Sequence, residues 1–264
     1  MSKILEYINK AETILERVKS QEKTLKSVSE IFAESILKGR MVHLFGSGHS
    51  RILVEEMWPR YGSFPGFNPI VELSLTFHNM VTGANGQRQA MFIENVPGLA
   101  ERILRNFDIS KDDTALIISS SGCNIVPIEI AEEFKKKNVK VVALVSRLHL
   151  DGSSSKREDG KKLNDFADFV LDTGAPLGDA MIKIEGLDTP VAPGSTLGGV
   201  LIVNTIKAQM ADLLQKKGKT PKVLSSSKII GEKRANSLFE AAYDEHAHLM
   251  AKLYKDIGKC NNET

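Results

Sequence analysis

The sequence predicts an α/β fold, a parallel sheet covered by helices on both faces. Three observations carry that reading. Four short runs, 41–45 (MVHLF), 114–118 (TALII), 139–145 (VKVVALV) and 168–171 (DFVL), are close to continuously apolar. That pattern suits strands buried on both sides, whereas a half-exposed strand alternates. Segments of helical period separate these runs, as in strand–helix–strand units. Two of the runs also break abruptly into small polar turns, VHLFGSGHSR (42–51) and LIISSSGCN (116–124).

Residues 3–38 read as helix. Ile4, Leu5, Ile8, Ile14, Leu15 and Val18 recur at helical spacing, as do Leu25, Val28, Ile31, Phe32, Ile36 and Leu37, and Gly39 is a C-terminal stop. A break near Ser20–Lys23 makes this a helical hairpin, and without one it is a single long arm. Its apolar stripe lies outside the expected sheet and needs a surface. A second copy of the chain is the expected one, so a homodimer or homotetramer follows. Short runs near 69–73 and 181–184 are further strand candidates. The helix at 125–137 ends in KKKN, cations where the macrodipole favours them. Residues 151–162 (DGSSSKREDGKK) read as an exposed polar loop. Helices at 196–215 and 231–257 complete the chain. The expected organisation is an arm at 1–38, a central domain at 39–217 and a helical extension at 218–264, all in one structural unit.

Composition narrows the function classes. The chain has 264 residues, 42% hydrophobic and 26% charged, with a net charge of +2. It is long enough to bury a core without staples. The near balance of charge makes no case for nucleic acid or an acidic membrane. Two cysteines, Cys123 and Cys260, suggest neither a metal site nor a disulfide framework. No unbroken apolar run approaches the ~18 residues of a membrane span, and the charged N-terminus lacks a signal-peptide core. A cytoplasmic protein that needs no metal or organic cofactor is expected.

The two turns carry the chemistry. In an open parallel sheet, ligands sit beyond the C-terminal ends of the strands, where the strand order reverses. Gly46 and Gly48 fit the first two glycines of a dinucleotide turn, but Arg51 stands at the third, and no G-K-[ST] follows for a P-loop. What remains is an anion cradle: unpaired N–H groups at a helix start, with Ser47, His49 and Ser50 as added donors. In the second turn Ser119, Ser120 and Ser121 supply hydroxyls without bulk, Gly122 permits a sharp bend, and Asn124 caps the next helix or meets a ligand. Two such turns after buried strands point to a phosphate site.

Strand-GSGHS-helix followed by strand-SSSGCN-helix resembles the sugar isomerase (SIS) domain, which binds phosphorylated sugars. The resemblance covers about residues 30–215. Ser119, Ser121 and Gly122 match the family's S-x-S-G-x-[ST] loop, with Asn124 where Ser or Thr is usual, and Gly46, Gly48 and Ser50 match its G-x-G-x-S turn. The resemblance implies a three-layer α/β/α sandwich around a five-stranded, flavodoxin-like parallel sheet, and a dimer whose subunits share each site. The whole-chain pattern looks closest to uncharacterised bacterial SIS proteins that are phosphoheptose-isomerase-like.

Sugar-phosphate isomerisation and elimination both begin by removing a proton next to a carbonyl, so a general base is needed. Glu56, four residues before Arg60-Tyr61, resembles the stretch that carries the catalytic glutamate of phosphoheptose isomerases. Those enzymes also place a His in the helix after residue 195, where this chain has Gly199, Val200 and Asn204. Ser195, Thr196 and Asn204 look instead like the corresponding helix of N-acetylmuramic acid 6-phosphate etherases, and Glu94 resembles the position of an acidic residue there. Glu72 and His78, ahead of the loop TGANGQRQ, are reserve candidates. For Glu94 the plainer role is to complement the dipole of a helix started by Pro97. The expected activity is isomerisation of, or elimination from, a sugar or amino-sugar phosphate. The alternative is a non-catalytic sugar-phosphate sensor.

Overall fold

A computed structural model of the chain describes residues 1–76 and 84–254. The chain opens with α1 (Lys3–Lys19) and α2 (Glu22–Leu37), broken at Ser20 and Gln21 where the sequence places a break. It then runs through β1 (Val42–Gly46), α3 (Arg51–Met57) and β2 (Phe67–Ile70). Next come α4 (Gln87–Ile93), α5 (Leu99–Leu104), β3 (Thr114–Ile118) and α6 (Ile125–Lys136). After β4 (Lys140–Val145), α7 (Arg147–Asp151) and β5 (Phe169–Asp172), β6 (Ala180–Ile182) pairs with β7 (Val191–Pro193). The chain closes with α8 (Ser195–Lys216), α9 (Ser227–Ile230) and α10 (Glu232–Leu253).

The main sheet has five parallel strands in the order β2-β1-β3-β4-β5. Alternate residues of each central strand feed two separate cores. Val42, Leu44, Leu116, Ile118, Val142 and Leu144 face a layer built from α2, α3 and α8. Phe45, Ala115, Ile117, Val141, Ala143 and Val145 face α5 and α6. Every residue of β1 and β3 is buried, which is why neither alternates in polarity. The expected strand near 69–73 begins two residues earlier, and the run at 181–184 belongs to the separate antiparallel β6–β7 pair rather than to the main sheet.

At the N-terminal ends of the strands a polar cluster fixes the register. Asp113 accepts from Arg40 Nε at 2.9 Å and Nη2 at 2.8 Å, and from the Met41 amide at 3.2 Å. His43 Nε2 lies 3.3 Å from the same carboxylate, and its Nδ1 lies 2.9 Å from the Asn68 amide of β2. Burial works to raise the Asp113 pKa, but the His43 and Arg40 contacts hold it well below the usual carboxylate range.

The N-terminal arm departs from the sequence reading in one respect. The stripe of α2 is covered by its own chain, with Val28, Phe32 and Ile36 in the main core. The first turns of α1 are not covered: Ile4 is 74% exposed, Leu5 53% and Ile8 47%. The helix α8 is also long and apolar enough to cross a membrane, which a search for unbroken apolar runs overlooks. It lies in the core instead, against α2 and α3. At Gly198 a Cβ would stand 1.8 Å from the Thr173 carbonyl oxygen, so only glycine lets α8 approach the end of β5 this closely.

Candidate functional site

The strand order turns back between β1 and β3, and the loops after both open into one cleft of about 380 Å³. This is where ligands bind in open α/β sheets. The turn after β1 contributes Ser47, His49 and Ser50, the turn after β3 contributes Ser119, Ser120, Ser121 and Asn124, and the start of α8 contributes Ser195 and Thr196. Residues from three distant stretches of sequence therefore meet at the sheet's C-terminal edge.

The second turn has the build of an anion cradle. Gly122 sits at φ +63°, and a Cβ there would stand 2.7 Å from Leu150, so the bend requires glycine twice over. The Gly122 amide donates to Ser119 Oγ at 3.2 Å and the Cys123 amide to Ser121 Oγ at 3.3 Å. Both hydroxyl protons thus stay free to point at a ligand. The backbone N–H groups of Ser120, Ser121 and Asn124 donate to no described residue, and the Ser120 hydroxyl is buried without a partner. Free amides in front of α6 attract negative charge.

Glu94 joins the two turns. Its Oε2 accepts from the Ser47 hydroxyl at 2.6 Å and its Oε1 from the Asn124 side-chain amide at 2.7 Å. These two donors, expected from sequence to face a phosphate, are directed at the carboxylate. Burial pushes the Glu94 pKa up, against the opposing Ser47 hydrogen bond, the Lys156 charge and the Asn124 hydrogen bond. A carboxyl raised in this way holds its proton more readily than an exposed one, as a group that takes and returns a proton must. Its place also bears on the helix-dipole alternative. Glu94 follows the last turn of α4, where a carboxylate opposes the dipole, and the Gly98 amide before α5 is served by Glu129 Oε2 at 2.9 Å.

Two of the other acid–base candidates, Glu56 and Glu72, lie elsewhere. Glu56 accepts from Asn204 Nδ2 at 2.7 Å and from Arg60, and it does not line the cleft. Burial works to raise its pKa, but those two hydrogen bonds hold it low. Glu72, just past β2, has its pKa raised by burial and is also outside the cleft lining. His78 falls outside the described residues.

Among the cleft residues that the sequence reading missed are three with ionisable side chains. The polar segment after β4, mostly exposed as expected, brings Lys156 and, from α7, His149 to the cleft. It is tied down by the Lys156 amide donating to Cys123 O at 2.9 Å and the Leu163 amide to Gly122 O at 2.9 Å. Asp179, beyond β5, also lines the cleft and accepts from the Ser195 hydroxyl at 2.8 Å. Neither Lys156 nor Asp179 directly follows its strand, and their segments read as ordinary surface loop, so no local signal singled them out. No group of three or more His, Cys, Asp or Glu side chains among the described residues is placed to hold a metal ion.

Fold and cleft together define a flavodoxin-like α/β protein with a polar cleft at the switch point of its sheet. The chain belongs to the SIS domain family, whose model matches residues 6–146. Among its relatives is a UPF0309 protein of Thermoanaerobacter pseudethanolicus, 32% identical over 238 residues, or 88% of this chain and 94% of that one. Another, from Halalkalibacterium halodurans, is 31% identical over 249 residues, 94% of this chain and 97% of the relative. A solved structure of a phosphoheptose isomerase from Francisella tularensis is 16% identical and covers 80% of this chain and 98% of its own, with a TM-score of 0.51. At that identity the likeness is one of fold.

Proposed function

We propose that the chain binds a phosphorylated sugar and transforms it by proton transfer next to a carbonyl, as an isomerase or a lyase. The phosphate lies against Ser119, Ser120 and Ser121, and Glu94 moves the proton. One observation carries this reading: a carboxyl with a raised pKa bridges the two phosphate-type turns inside one cleft. A phosphate held by the serine turn leaves the sugar's carbon chain beside Glu94, within reach of a general base. Membership of the SIS family supports the sugar-phosphate part.

The test is a panel of aldose, ketose and amino-sugar phosphates, followed by NMR for turnover and by thermal shift for binding. Turnover of at least one member is expected. Stabilisation without turnover of any would identify a sensor, and neither response would remove the phosphosugar reading altogether. We further infer a homodimer, because the exposed apolar start of α1 needs a cover and a second copy is the simplest one.

A further inference from the structure

The cleft is electrically two-ended. On the serine-turn side stands Lys156, the one Lys or Arg among its described lining residues. Its ammonium makes no hydrogen bond or ion pair with any described residue. Neighbouring Arg157, by contrast, is bound to Glu132 and Asp159. A cation that bonds no described residue directly and acts on Glu94 only through its charge, beside free amides and serine hydroxyls, is poised for an anion brought by a ligand.

The other end is arranged in the opposite sense. The start of a 22-residue helix opening onto a cleft ordinarily attracts an anion. Here a carboxylate of the chain already holds that place. Asp179 Oδ1 accepts from the Gly194 amide at 3.0 Å and the Ser195 amide at 2.6 Å, and Oδ2 from the Ser195 hydroxyl at 2.8 Å. Asp179 adopts φ +69°, a left-handed conformation that a non-glycine residue takes up at some cost. The strain is sustained where it aims the carboxylate at α8. Since β3 and β5 both pair with β4, their ends lie two strand spacings apart, roughly 10 Å.

Resting on the phosphosugar reading, we propose that this polarity selects the ligand: Lys156 and the serine turn take its single phosphate, and Asp179 excludes a second anionic group. The substrate class is therefore a sugar monophosphate whose far end is neutral or cationic, a hydroxyl or an amine. Sugar bisphosphates and phosphorylated sugar acids are disfavoured. An amine gains from Asp179 directly, and a hydroxyl can donate to its remaining lone pairs.

The probes are glucose 6-phosphate and glucosamine 6-phosphate against glucose 1,6-bisphosphate and 6-phosphogluconate, with affinities measured by calorimetry on the full chain. The two doubly anionic sugars are expected to bind at least about tenfold more weakly than the monophosphates, reflecting one unfavourable charge contact. Lys156→Met should weaken all four by roughly tenfold or more, and Asp179→Asn should narrow the gap between the pairs. Equal or tighter binding of the doubly anionic sugars by the unmodified chain would overturn the proposal and leave the phosphosugar reading standing. That comparison needs no variant to fold. Unchanged affinities in Lys156→Met would overturn the cationic half, and no binding of any probe would overturn both the proposal and the reading beneath it.

Discussion

Replacing Glu94 by Gln is expected to lower turnover by about 10²–10⁴-fold, the usual loss on removing a positioned general base. The fold should persist, and the sign of the stability change is informative. Burial raises the Glu94 pKa in the folded chain above the usual 4.5. A group raised on folding contributes stability that is fully present below its unfolded value and is lost as pH rises through its folded value. Above that folded value the ionised carboxylate sits at a cost that Gln does not incur, while the Ser47 hydroxyl and the Asn124 amide can each reorient to meet an amide. Glu94→Gln should be at least as stable as the parent above the raised value, with the advantage growing from pH 4.5 upward to that value. Thermal melts across that range check the stability, and single-turnover rates check the chemistry. Wild-type rates in the variant would leave Glu94 a structural bridge between the turns.

The second large effect is on binding. In Ser119→Ala/Ser121→Ala two hydroxyls disappear from the cradle, each expected to donate a charge-assisted hydrogen bond worth about 1.5–3 kcal/mol. Phosphosugar affinity should fall by roughly 10²–10⁴-fold. The same hydroxyls accept from the Gly122 and Cys123 amides, so circular dichroism must accompany the titration to separate lost contacts from a loosened turn. Unchanged affinity in a folded double variant would place the phosphate elsewhere.

Much of the sheet was legible because burial on two faces leaves its mark in composition. β1, β3, β4 and β5 are each close to an unbroken apolar run, and the structure has strands at all four. β2 was harder to place for a physical reason. Its Asn68 is buried to meet His43, and Pro69 is tolerated because an edge strand has a side with no partner to serve. Neither residue looks like strand on its own. The run near 181–184 marked β6, but its antiparallel pairing with β7 and its packing on α1 have no local signature.

The site divides along the same line. The two turns announce themselves, since small polar residues directly after a buried strand have few structural reasons to be there. Lys156 and Asp179 belong to segments whose composition is that of any surface loop, and only the order β3-β4-β5 draws them toward the serine turn. Glu56 shows the converse case. Its position suggested chemistry, but Asn204, 148 residues away in sequence, and Arg60 hold it in an ion-pair cluster beside α8.

The bare contact between Gly198 and the Thr173 carbonyl has a mechanical consequence. With no room even for a methyl group there, α8 and the end of β5 behave as one welded block, because close-packed atoms transmit displacement instead of absorbing it. Thr173, Ser195 and Thr196 then move together or not at all, and the cleft has a rigid jaw on that side. The opposite jaw is built on a shorter element. There α4 is only seven residues long, and it turns Phe92 toward water while carrying Gln87, Met91 and Glu94 into the cleft. The Glu94 carbonyl also accepts from the Val126 amide at 2.9 Å, so the end of that short helix is tied to the start of α6 and the cleft's two turns share one support.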